Sequence, residues 1–61
     1  GMDTRQMIKE LGGTRAVARY LNVAPSTVHH YIKTNKIPLH RLVVLMPRLQ
    51  EKGLTWPLMR S

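Results

Sequence analysis

Apolar positions recur along the chain at helical rather than strand spacing. Met7, Ile8 and Leu11 make a first stripe, Val17, Ala18 and Leu21 a second, and Val28, Tyr31 and Ile32 a third. Separations of three and four residues put each set on one side of a helix. The polar breaks predict the boundaries. Asp3, with Gln6 three positions on, is placed to cap helix one, which Gly12-Gly13 stops. Thr14 is placed to cap a second helix of about two turns. Asn22 ends it, because asparagine tolerates the left-handed backbone of a sharp stop. Only Asn22, Val23 and Ala24 then intervene before Pro25, whose missing N–H does no harm in a first helical turn. Helix three is predicted from about Pro25 to Lys33.

Further on, Thr34-Asn35-Lys36 breaks the pattern, and Pro38 holds Ile37 extended and opens a fourth helix. On a helical wheel Leu39, Leu42, Val43, Leu45, Met46 and Leu49 share one broad side, with His40, Arg41, Val44 and Arg48 on the other. Pro47 removes a bond to Val43 and crowds its carbonyl, so a kink or a split into two short helices is expected. Gly53-Leu54 has the form of a helix end, and Thr55 to Ser61, with Pro57, reads as irregular. The pattern predicts an all-α fold: one domain over residues 1–61, a bundle of four to five short helices without repeats or linkers.

Composition narrows the function. At 61 residues the chain has room for one small core. It has no cysteine, so disulfides and zinc–thiolate sites are excluded. The apolar runs are too short to span a membrane, and no secretory leader is recognisable, which points to a cytoplasmic protein. Gly1 ahead of Met2 reads as a residue left by tag removal. Ten Lys and Arg against three Asp and Glu give a formal charge of +7, which favours an acidic polymer as partner. The three carboxylates, Asp3, Glu10 and Glu51, are scattered, and Gly12-Gly13 is a helix stop rather than a nucleotide loop. Enzymatic chemistry is therefore not expected, and no cofactor is implied. His29 and His30 do not suggest a metal site, because adjacent helical residues point about 100° apart.

Function concentrates between Thr14 and Lys33, where two helices meet across a tight turn. Val17, Ala18, Leu21, Val23, Val28 and Tyr31 are the expected motif core, with small Ala18 at the crossing opposite Val28. Helix three then turns Ser26, His29, His30 and Lys33 outward, all able to bond a base edge or a phosphate. With Ala18, Val23 and Val28 at its key apolar positions, this segment resembles the helix-turn-helix of phage Cro-type repressors and related YdaS-like regulators. The resemblance implies a lambda-repressor-like fold and a bacterial or phage-encoded, nucleoid-associated regulator that reads double-stranded DNA in the major groove. It puts the base-reading positions on Pro25, Ser26, His29, His30 and Lys33. Asn22 stands where the family usually has glycine, and Thr14 and Pro25 stand where it often has glutamine.

Thr14, Arg15, Arg19, Thr27, Lys36 and Arg41 are the candidate phosphate contacts. Ala24 is a poor side-chain cap, so the start of helix three is left open to a phosphate. Leu39, Val43, Trp56, Leu58 and Met59 exceed what a few short helices can cover and are candidate contacts in a homodimer. The alternative function is a protein-interaction module, such as a phage or toxin-system adaptor, on the same scaffold.

Overall fold

Four residues with positive φ set the lengths of the helices. In the computed structural model, which describes residues 3–54, the elements are α1 (Thr4–Glu10), α2 (Thr14–Leu21), α3 (Pro25–Thr34) and α4 (Leu39–Glu51). No strand occurs among the described residues. Gly12, Asn22, Asn35 and Gly53 each turn the chain out of a helix, with φ of 113°, 61°, 56° and 73°. Each is followed by an amide that reaches back across the last turn. Gly13 N–H donates to the Ile8 carbonyl at 2.9 Å, Val23 to Ala18 at 2.9 Å, Lys36 to Tyr31 at 3.1 Å and Leu54 to Leu49 at 2.7 Å. All four ends thus share one hydrogen-bonded stop, which pairs carbonyls that a helix terminus otherwise leaves open. Val23 and Leu54, the residues just past two of these stops, pack against the core.

The core joins all four helices. Met7, Ile8 and Leu11, then Val17, Ala18 and Leu21, then Val28 and Tyr31, then Leu42, Leu45 and Leu49 are buried together, with Val23, Ile32, Ile37 and Leu54 against them. The α2–α3 pair is the most intimate, α1 rests on both, and α4 packs on α2. Helix-turn-helix geometry is therefore present: α2, a turn at 22–24, then α3. Asp3 caps α1 as expected, its Oδ1 accepting the Gln6 N–H at 2.8 Å.

Three expectations are corrected. Thr14 does not cap α2; it is the first helical residue, and Gly13, with φ of 100° and no side chain, takes the cap position. Two consecutive glycines spend their conformational freedom on the α1–α2 corner, so the helix starts immediately after them. Pro47 does not divide α4 into two helices, since the helix runs unbroken from Leu39 to Glu51. Pro47 and Val43 are both exposed, so the carbonyl deprived of its N–H lies on the watered side, where solvent replaces the lost bond. The apolar side of α4 is also narrower than the wheel suggests. Leu39 and Val43 are 74% and 55% exposed and lie off the buried Leu42–Leu45–Leu49 line. Trp56, Leu58 and Met59 lie outside the described residues.

Thr4 was not singled out by the sequence pattern. It is wholly buried, its hydroxyl has no partner among the described residues, and its N–H donates to Asn35 Oδ1 at 2.9 Å.

Candidate nucleic-acid interface

Helix α3 divides cleanly by side. Val28 and Tyr31 are buried and Ile32 is half-buried, which leaves Pro25, Ser26, His29, His30 and Lys33 exposed. Four of these carry polar side chains, in a row along a helix of ten residues, about 15 Å long. The helix extends one residue beyond the expected end, to Thr34. That residue's hydroxyl donates to the His30 carbonyl at 3.0 Å.

An open groove flanks each end of this row. Near the start of α3, Arg15, Ala18, Arg19, Val23 and Pro25 line a depression of about 350 Å³. Near its end, His30, Tyr31, Thr34, Lys36, Ile37 and Pro38 line another of about 520 Å³. The structure therefore brings Arg15 and Arg19 to one end of the exposed row and Lys36 to the other. Thr14 and Thr27 are half-buried at the first turns of α2 and α3. Arg41 lines neither groove. It is half-buried on α4, on the flank that also carries Arg48.

The start of α3 leaves amide donors open. Ala24 supplies no side-chain cap, Pro25 has no N–H, and the Thr27 N–H is bonded to the Ala24 carbonyl at 2.9 Å. Among the described residues the Ser26 amide has no partner, at the positive end of the helix dipole and beside the groove that holds the two arginines.

Charge is distributed unevenly along the chain. No carboxylate occurs between Glu10 and Glu51. The three acids are committed elsewhere: Asp3 caps α1, Glu10 accepts from Gln6 Nε2 at 2.9 Å, and Glu51 sits 3.8 Å from Arg48. Arg48 also lies over the Tyr20 ring, 5.2 Å from its centre, joining α4 to α2 through an aromatic contact that the sequence pattern did not suggest. Arg15, Arg19, Lys33 and Lys36 all belong to the acid-free stretch, so their field at α2 and α3 is not offset locally.

No protein-family model, curated protein or solved structure matches this chain. A helix with side chains is about 10–12 Å across, and the major groove of B-form DNA is about 12 Å wide. Among the described residues no helix is long and apolar enough to cross a membrane.

Proposed function

We propose that this chain is a sequence-specific, double-stranded DNA-binding protein that lays α3 in the major groove and acts in the cytoplasm as a repressor-type transcriptional regulator of the Cro or YdaS kind. The observation that carries this reading is the exposed polar row of α3, with cations in the grooves at both ends and no carboxylate on α2, the turn or α3. Ser26, His29, His30 and Lys33 read base edges, with Pro25 beside them. Arg15, Arg19, Lys36 and the open Ser26 amide hold phosphates.

The test is to select bound sequences from a random duplex pool and to repeat binding with substituted chains. S26A and H30A are expected to relax sequence preference at particular positions, by about 1–3 kcal/mol each. K36Q should weaken all sequences alike and lessen the salt slope by about one phosphate. Equal loss of preference in all three variants would contradict these roles. Failure of the unaltered chain to bind any duplex would favour the adaptor reading, in which α3 faces an acidic protein.

Function as a homodimer belongs to the same proposal. One α3 reads only a few base pairs, and helix-turn-helix proteins extend their site by pairing across half-sites about one helical turn apart. Leu39, Val43, Pro47 and Gln50 form an exposed strip on α4 that holds no charged side chain. Two bodies of charge +7 approach best across a neutral strip, since cation meets cation elsewhere. In sedimentation at micromolar concentration the chain should be dimeric, or become so on DNA, and V43E should be monomeric with its helical circular dichroism intact. A strict monomer on DNA would defeat the pairing.

A further inference from the structure

We propose that Asn35 is a positioning residue for α3: by tying the end of that helix to the first turn of α1, it fixes the roll of the Ser26–His29–His30–Lys33 row about the helix axis. The inference rests on the DNA-binding reading and adds a residue to it.

Asn35 does two things at once. Its backbone, at φ 56° and ψ 38°, ends α3 and lets the Lys36 N–H return to the Tyr31 carbonyl. Its side-chain oxygen accepts the N–H of Thr4, a residue 31 positions away whose side chain is wholly buried. Glycine would serve the first role without strain, but only a residue with a side-chain acceptor serves the second.

The second role matters because it adds a directional restraint to packing that is otherwise apolar. α3 packs through buried Val28 and Tyr31 with Ile32 half-buried beside them, and apolar contact is non-directional, so a hydrogen bond of fixed geometry sharpens the angle at which the helix seats. A roll of about 20° moves atoms at the 5–6 Å helical radius by about 2 Å. Good hydrogen bonds tolerate a spread of only about 0.5 Å in length. Base contacts would then fail, whereas attraction to phosphates, screened over about 8–10 Å, would persist. The turn at 22–24 holds one end of α3, and the Asn35–Thr4 bond holds the other.

The full chain carrying N35G keeps a backbone suited to the left-handed stop and loses the acceptor. Anisotropy titrations would compare it with the unaltered chain on the preferred duplex and on random duplex, at a temperature where circular dichroism shows both folded. The ratio of the two affinities is expected to fall at least about tenfold, the order of one lost base contact. Affinity for random duplex should stay within about twofold, with the salt slope unchanged. N35D retains an acceptor but adds a negative charge; it should weaken both duplexes together and keep the ratio. An unchanged ratio in folded N35G overturns the proposal. If N35G is unfolded, N35D decides, and a collapsed ratio there overturns it. Absence of any duplex binding by the unaltered chain would instead remove the DNA reading, and this inference with it.

Discussion

L45A will unfold much of the protein at physiological temperature, while L39A will leave it almost unchanged. Leu45 is 1% exposed and belongs to the Leu42–Leu45–Leu49 line that holds α4 to the rest of the core. Truncating such a leucine costs about 2–5 kcal/mol, because transfer free energy and a residual cavity add together. Stabilities of roughly 0.05–0.15 kcal/mol per residue give a chain of this length only about 3–9 kcal/mol in all. The loss is thus comparable with the whole margin, and no disulfide makes up the difference. At about 4–8 °C per kcal/mol for small domains, Tm should fall by at least about 8 °C. Leu39 is 74% exposed, and surface changes of this kind ordinarily stay within about 0.5 kcal/mol. Thermal denaturation followed by circular dichroism checks both, and a fall under about 3 °C for L45A would show that α4 is not part of the cooperative core.

Duplex binding should weaken roughly 40-fold when salt is raised from about 50 to 200 mM. Arg15, Arg19 and Lys36 are the cations in the grooves at the ends of α3, and each phosphate neutralised releases condensed counterions, with a slope near −0.9 per contact. Three contacts give a slope of about −2.7 in log affinity against log salt, from which the roughly 40-fold figure follows. Anisotropy titrations on random duplex measure it directly. A slope shallower than about −1 would mean that these cations do not grip the backbone. Charge spread over the surface and merely solvated has no reason to give the steeper value.

The helices were legible because their signals are local. Stripes at three- and four-residue spacing and residues that tolerate positive φ lie within a few positions of the structure they cause, as at Gly12, Asn22 and Gly53. The exposed row of α3 followed from the same periodicity, since burying Val28 and Tyr31 turns Ser26, His29, His30 and Lys33 out. Thr14 was misplaced by one residue because two glycines compete with it for the corner. The wheel of α4 gave angles but not neighbours: Leu39 and Val43 lie beside the buried line, and whether they are covered depends on what packs there. Asn35 was the least legible residue. Read locally it is one polar position in a break, and its bond to Thr4 joins points 31 residues apart that no short-range pattern connects. The grooves at the ends of α3 were hidden for another reason: their lining residues lie close in sequence, over 15–25 and 30–38, but periodicity gives the side of a helix and not the depth of the surface beside it.

The shared manner in which every helix stops bears on how the chain reaches its native form. Because each rod length is dictated by its own last turn, the segments can be measured out before they dock, and few distant pairings remain to be searched. Helical topologies of this low contact order assemble in microseconds to milliseconds. A newly synthesised chain would therefore spend little time with its apolar stripes open to aggregation.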